Sequence, residues 1–441
     1  MLPAMPTTSP LIDRVRENGV VGAGGAGFPT YEKLKTSAEV LILNAAECEP
    51  LLHKDKELLI HHGTEVLDGM LQLAESVNAT RSIVAIKEKY TGLIEQLLPE
   101  ATRRGIEIHR LPDSYPAGDE FITIYETTGR IVPPGGLPKD VGCLVQNVET
   151  VLNIQRDLPV THKFLCVVGD VPTPMTVRVP VGTSFRDVLT TCGVDPEKPR
   201  HVQVGGVMMG SVMQSMDEVV TRTTGALLCF GLDHVVTRKY TTTPRQRDVI
   251  GMSACDQCSF CTELCPRYLL GHPVEPHIAM RSLEFNALGE DTLLGSQFCC
   301  ECNLCTLYAC PEDLFPSYAT MDLKRKLRDE GKTHPVTGRT DLPVHSMAEY
   351  RRVPVSSLIK KLGLAQFENV GPLTELDWNP SEVQIPLKQH IGAPAVACVQ
   401  TGTQVQPGDL IGKAADGLGV PIHASIAGTV SQVGSSIHIR R

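Results

Sequence analysis

Residues 255–266 read CDQCSFCTELCP, and residues 299–311 read CCECNLCTLYACP. The first stretch spaces Cys255, Cys258, Cys261 and Cys265 as C-x2-C-x2-C-x3-C-P. With that spacing a tight loop wraps three thiolates around one 4Fe–4S cluster and sends the fourth to another. The second stretch, Cys299, Cys302, Cys305 and Cys310, repeats the pattern with one extra residue before the last cysteine. The pair predicts two clusters with exchanged fourth ligands: Cys255, Cys258, Cys261 and Cys310 on one, Cys299, Cys302, Cys305 and Cys265 on the other. Eight thiolates would also suit two tetrahedral zinc ions, but the closely spaced triplets and terminal Cys-Pro pairs favour cubane iron. Cys300 would replace Cys299 only with the poorer spacing C-x-C-x2-C and is read as a bystander. Such clusters pass single electrons and cannot accept a hydride, so a further group must feed them.

The chain has 441 residues, about three domains at roughly 150 each. Asp plus Glu number 50 against 41 Lys plus Arg, and the net charge of −9 comes without a basic run. Nucleic acid and anionic membranes are therefore poor candidate partners. No stretch reaches the roughly 18 apolar residues of a membrane span, and residues 1–10 have neither half of a secretory signal. The expectation is a cytoplasmic chain, in which 15 cysteines need a ligand role. The isolated Cys48, Cys143, Cys166, Cys192, Cys229 and Cys398 are expected to be small buried apolar residues.

Upstream, residues 11–154 alternate apolar runs at 40–43 and 82–86 with a helical stretch at 56–76, the pattern of a mostly parallel sheet. Residues 22–30 read GAGGAGFPT. Gly22, Gly24, Gly25 and Gly27 let backbone N–H groups approach a phosphate or a planar ring, and Phe28 offers a stacking face. The extra glycine departs from G-x-G-x-x-G and no strand clearly precedes the loop, so an ordinary dinucleotide fingerprint is not supported, and a plain tight turn is the alternative. Short β-branched runs at 164–168, 176–179 and 202–204 around a helix at 185–191 look like a β-grasp module. A solvated helix is expected over 318–328, a linker with little core over 331–385, and a compact all-β unit over 387–441. His61, His62 and His109 lack a partner pattern and are expected at the surface.

Four further stretches carry a resemblance: NAAECEP at 44–50, YPAGDE at 115–120, GGLP at 135–138 and NVET at 147–150. With the glycine-rich loop they resemble the flavin-bearing, NADH-binding subunit of respiratory complex I, and more closely the C subunit of Rnf electron-transport complexes. In length and order the chain is most similar to the flavo-iron–sulfur cobalamin reductases of propanediol-utilisation microcompartments. The resemblance implies a multidomain α/β protein: an FMN/NADH-binding α/β domain over 1–158, a β-grasp (SLBB-like) domain over 159–243, and a helical two-cluster ferredoxin-like module over 244–335. A linker over 336–385 and a barrel-sandwich (lipoyl-like) domain over 386–441 complete it.

It implies FMN as resident cofactor, NADH as donor and cobalamin as substrate, with an adenosyltransferase and microcompartment shell proteins as partners. By position, Gly22, Gly24, Gly25 and Gly27 correspond to the nucleotide loop, Phe28 to a stacking ring and Lys33 to a basic residue near the cofactor. Asn44, Glu47 and Asn147 correspond to flavin contacts, and Glu49 to an acidic position on the nicotinamide side. Ala23 stands for an Arg, Ala46 for an Asp, and the paired glutamates of the complex I G-E-E segment are absent. The C-terminal stretch resembles a lipoyl or biotinyl carrier, but its hairpin AADGLG at 414–419 has no lysine and Lys413 comes too early, so it reads as a structural module. No D-x-H-x-x-G stretch occurs, so a corrinoid would be a visiting substrate. The rival readings are a membrane-peripheral Rnf-type subunit and a non-enzymatic iron–sulfur scaffold.

Overall fold

The computed structural model describes residues 10–283 and 293–441; the signal-peptide reading of residues 1–9 lies outside them. The first unit contains helices α1 (Pro10–Glu17), α2 (Thr30–Lys33), α3 (Lys54–Val77), α4 (Thr91–Arg103), α5 (Glu120–Thr128) and α6 (Val148–Arg156). Its strands are β1 (Val40–Ala45), β2 (Arg81–Lys87), β3 (Ile106–Leu111), the short β4 (Ser114–Tyr115) and β5 (Cys143–Asn147). Four of them form an all-parallel sheet in the order β3-β2-β1-β5.

The unbroken apolar run of β1 follows from burial on both faces. Leu41 and Leu43 meet Leu58, Val66 and Met70 of α3 and Val151 of α6, while Val40 and Ile42 meet Ile124 of α5. The strand order reverses between β1 and β5, which opens a crevice beyond their carboxyl ends, the usual ligand position in such sheets.

A second unit carries β6 (His162–Gly169), β7 (Met175–Pro180), α7 (Phe185–Thr191), β8 (His201–Val204), β9 (Ser211–Val212) and β10 (Ala226–Phe230). Its sheet order is β7-β6-β10-β8-β9, with β6 and β10 parallel and the other pairs antiparallel, and α7 packs on it through Phe185, Val188 and Leu189. The cysteines lie among α8 (Val235–Thr241), α9 (Pro244–Ala254), α10 (Phe260–Glu263), α11 (Pro266–Leu269), α12 (Pro276–Ser282) and α13 (Pro316–Asp329). Proline starts α9, α11, α12 and α13, where its missing N–H costs nothing.

The stretch read as a linker is corrected by the structure. Within it, β11 (Val353–Pro354) pairs with β4, and α14 (Val355–Lys361) follows. Val353, Val355, Leu358, Leu362 and Leu364 are buried with Tyr115, Phe230 and Leu304. Val355, Leu358 and Leu362 at helical spacing, with Val353 and Leu364 on either side, sufficed for a core contact, and the polar and proline-rich flanks hid them.

The C-terminal unit comprises β12 (Glu382–Pro386), β13 (Val396–Ala397), β14 (Gln404–Val405), β15 (Leu410–Lys413), β16 (Ile422–His423), β17 (Gly428–Val433) and β18 (Ser436–Arg440). They form two antiparallel sheets, β12-β18-β17-β14 and β13-β15-β16, around Ile385, Ile411, Ile422, Val430 and Ile437. Two of the isolated cysteines depart from expectation, because Cys398 is exposed and Cys48 only half-buried. No helix among the described residues is long and apolar enough to cross a membrane.

Leu358 is fully buried, so Leu358→Ala should destabilise the protein by about 2–5 kcal/mol in urea unfolding. A loss within about 0.5 kcal/mol, as for a surface change, would restore the linker reading.

Candidate functional site

The glycine-rich loop is closed by Gly22 N–H donating to the Phe28 carbonyl (2.9 Å) and Gly27 N–H donating to the Gly22 carbonyl (3.1 Å). Ala23 N–H donates to Thr150 Oγ1 (2.9 Å), which pins the loop on the first turn of α6. The next three residues, Gly24, Gly25 and Ala26, are exposed, and among the described residues their N–H groups have no hydrogen-bond partner. Three adjacent free donors make a concave anion or ring-edge cradle. Gly25 has φ 117°, which L side chains rarely adopt, and a Cβ on Gly24 would stand 3.5 Å from the Asn147 side chain. The loop therefore fits a phosphate-bearing flavin.

Beneath the loop, Asn44 and Asn147 are register partners across β1 and β5. Asn44 Nδ2 donates to the Gly118 carbonyl (2.8 Å). Asn147 caps α6 by accepting from Glu149 N–H (3.0 Å) and donates to Asp55 Oδ2 (2.7 Å). Glu47 accepts from the Asp55 N–H (2.9 Å) and Lys56 N–H (3.3 Å) at the start of α3, where the helix dipole favours an anion. Behind them, buried Glu149 accepts from Lys163 Nζ, from Phe164 N–H (3.0 Å) and from Lys54 Nζ (3.1 Å), and Lys54 also meets Asp55 (2.5 Å). Lys163 Nζ donates onward to the Ala23 carbonyl (3.0 Å), so this ionic network is the floor of the loop.

Lys54, Asp55, Glu149, Thr150 and Lys163 escaped the sequence reading as site residues. NVET at 147–150 pointed at Glu149 and Thr150, whereas nothing local marks Lys163. Two expected residues face elsewhere. Lys33 Nζ is held by Glu120 (2.9 Å) and the Val145 carbonyl (3.4 Å). Glu49 accepts from the Met208 N–H (2.8 Å) and Met209 N–H (2.9 Å) of the second unit. Phe28 is half-buried at the neck of the loop.

Cys255, Cys258, Cys261 and Cys310 line one small cavity of about 20 Å³ with His277 and Leu314. Cys265 lies within electrostatic reach of Cys299 and Cys300, and Cys302 of Cys265 and Cys305. Burial pushes the Cys261 thiol up to about 12, and the neighbouring Cys310, Cys258 and Cys255 push it the same way. A thiol so placed ionises readily only against a compensating cation, which fits an iron–sulfur donor set. Among the described residues no three His, Cys, Asp or Glu side chains are grouped closely enough to hold a single metal ion.

The two cysteine loops share a backbone pattern. Residues two after the first cysteine and one after the second are left-handed in both: Gln257 (φ 61°) and Ser259 (φ 61°), then Glu301 (φ 59°) and Asn303 (φ 62°). The extra residue of the second loop is taken up by a π turn over Cys305–Ala309, closed by Cys310 N–H donating to the Cys305 carbonyl (3.1 Å). Glu301 N–H donates to Cys299 Sγ (3.4 Å) and Leu314 N–H to Cys310 Sγ (3.4 Å). Cys300 is not remote from this group: a hydrogen bond with Cys302 and the nearby Arg267 guanidinium outweigh burial and bring its thiol down to about 7.

Residues 115–119 link the end of β1 to the second cysteine loop. Tyr115 Oη donates to the Cys302 carbonyl (2.7 Å), and Asp119 Oδ2 accepts from Arg267 (2.8 Å), whose guanidinium lies over the Phe121 ring at 3.7 Å.

Comparison with known families matches residues 15–156 to the Nuo51 FMN-binding domain, 254–315 to the 4Fe–4S dicluster domain and 369–440 to the RnfC barrel sandwich hybrid domain. Cobalamin reductase PduS of Salmonella typhimurium strain LT2 is 42% identical over 428 residues, 96% of this chain and 94% of that one. Cobalamin reductase PduS of Citrobacter freundii has the same identity and coverage. The C subunit of the proton-translocating ferredoxin:NAD(+) oxidoreductase complex of Clostridium ljungdahlii is 32% identical over 58% of this chain and 55% of its own.

Burial raises the Glu49 carboxyl to about 7, against the pull of the N–H donors at Met208 and Met209. The unfolded chain loses that proton near the ordinary value of 4.5, so this group's contribution to stability falls as pH rises from about 4.5 to 7. Glu49→Gln should therefore gain stability relative to the parent between pH 5 and pH 8 in urea unfolding. A difference that does not change with pH would refute the shift.

Proposed function

The chain belongs to the family of the cobalamin reductase PduS, and from that premise we propose that it is an NADH-dependent flavo-iron–sulfur reductase that delivers single electrons to cobalamin. The observation that carries this reading is the pairing of a three-donor backbone cradle at a sheet switch point with a double cysteine set, one half of which residues 115–119 tie to the end of β1. FMN supplies, when bound, the exchange of a two-electron hydride for single electrons that clusters accept.

The chain's own residues hold and orient. Gly24, Gly25 and Ala26 offer their N–H groups to the cofactor, and Asn44 and Asn147 present side-chain amides at the strand ends. The Lys163–Glu149–Lys54–Asp55 network fixes the loop from below. We assign Cys255, Cys258, Cys261 and Cys310 to one cluster and Cys265, Cys299, Cys302 and Cys305 to the other. The cavity lining and the repeated left-handed positions support that assignment. N–H donors to Cys299 and Cys310 would stabilise reduced clusters.

The finer readings rest on the family resemblance: cob(III)alamin and then cob(II)alamin as acceptors, the product passed to an adenosyltransferase for coenzyme B12 regeneration, and residence with a microcompartment shell. An Rnf-type exchange between ferredoxin and NAD is the second reading, supported by the partial match to the Clostridium ljungdahlii protein.

Anaerobic NADH titration, with flavin, cluster and added hydroxocobalamin followed together, separates them. Reduction of all three is expected; reduced cofactors with untouched cobalt would transfer the proposal to a protein acceptor. Gly24→Val, which sets a branched side chain against Asn147, should cost the protein its FMN while the cluster absorbance stays. Full retention of FMN would remove the loop from the cofactor site.

A further inference from the structure

The two cysteine sets differ in surroundings. In the set of Cys265, Cys299, Cys302 and Cys305, three members are buried and the fourth half-buried. This set is tied to the first unit twice: Tyr115 Oη donates to the Cys302 carbonyl, and Arg267, two residues past Cys265, pairs with Asp119. Between those two residues lies Gly118, whose carbonyl accepts from Asn44 at the end of β1. One five-residue segment thus touches both the strand end beside the glycine-rich loop and the backbone that carries the buried cysteines. The other set has Cys258 exposed and Cys255 and Cys310 half-buried, beside a Phe260 that is 48% exposed. Among the described residues no hydrogen bond links 255–261 or 310–314 to residues 10–156. The sets are adjacent, since Cys305 is within electrostatic reach of Cys261.

Resting on the reductase reading, we infer that the cysteine module is polarised: electrons enter at the cluster held by Cys265, Cys299, Cys302 and Cys305, pass to the cluster held by Cys255, Cys258, Cys261 and Cys310, and leave at the Cys258–Phe260 edge. Hydride from NADH supplies two electrons and releases NAD+ and one proton. Each electron reduces the buried cluster, which returns to its oxidised form as it reduces the exposed one. The exposed cluster is reoxidised by a one-electron acceptor, so two acceptor molecules are reduced per NADH. Tyr115 acts as a positioning residue, holding the buried loop against the strand ends.

The test uses the full chain, loaded anaerobically with FMN, iron and sulfide, with electron paramagnetic resonance as the readout. Cys302→Ser, which keeps the exposed cluster, should lose NADH reduction of that cluster while dithionite still reduces it. Cys258→Ser, which keeps the buried cluster, should leave its NADH reduction intact and lose transfer to hydroxocobalamin. NADH reduction of the exposed cluster in Cys302→Ser at the parent rate would overturn the order. Should Cys302→Ser fail to fold, Tyr115→Phe serves: slower NADH reduction of the clusters with unchanged dithionite reduction supports the entry point, and an unchanged NADH rate refutes it. Phe260→Glu should slow only the last transfer; an unchanged rate would remove the edge from the exit. If the parent protein reduces both clusters in this order but leaves hydroxocobalamin untouched, the cobalamin reading fails and the polarity stands.

Discussion

A single buried carboxylate organises the cofactor end of this protein. Glu149 accepts from Lys163, from Lys54 and from a backbone N–H. Burial alone would raise its pKa, but the two lysine charges win and hold it ionised below the ordinary carboxylate range. With Asp55 the group counts two cations and two anions, which makes its burial tolerable; removal of one member would leave an uncompensated buried charge. The consequence reaches the loop through one peptide plane. Lys163 draws the Ala23 carbonyl inward, and in a trans peptide the following N–H points the opposite way. Gly24 N–H is thereby turned outward, the first of the three free donors.

The neck of that loop is fixed from the far end of the chain. Arg222, 2% exposed, donates to the Gly19 carbonyl (2.7 Å) of the first unit and the Pro421 carbonyl (2.8 Å) of the last, while its own backbone N–H donates to Gln389 (3.0 Å). Burial lowers its pKa only to about 10, so the guanidinium stays charged at neutral pH. Ile391 N–H donates to the Gly27 carbonyl (3.0 Å). A carrier-like sandwich without a carrier lysine gains a physical role here, as a clamp that seats the glycine-rich loop against the second unit.

What could be read from the sequence was what local pattern encodes. The run 40–43 carried its strand, apolar spacing at 56–76 lay inside the observed Lys54–Val77 helix, and 185–191 matched a helix with Ser184 as its cap. The cysteine spacing singled out the residues that the fold gathers into two groups. Long-range pairings stayed hidden. Lys163 meets Glu149 only because the start of β6 returns to the first turn of α6, and Glu49 meets the 208–209 turn across 159 positions. The segment around Leu358 was missed for the opposite reason: its apolar spacing is helical but spans barely two turns, too short to stand out among its flanks.

The choice between Cys299 and Cys300 shows how backbone conformation adds to spacing. In the first loop the left-handed residues stand two after Cys255 and one after Cys258. Laid on the second loop, the same offsets reach Glu301 and Asn303 only if the counting starts at Cys299 and Cys302. A start at Cys300 would shift the first left-handed position to one residue after the cysteine and break the correspondence. Left-handed residues there turn N–H groups toward sulfur, and Glu301 N–H does point at Cys299. Cys300 instead faces Cys302 and Arg267, the residue that ties the buried set to Asp119. Its thiol therefore lies where the second cysteine loop meets the bridge to the first unit.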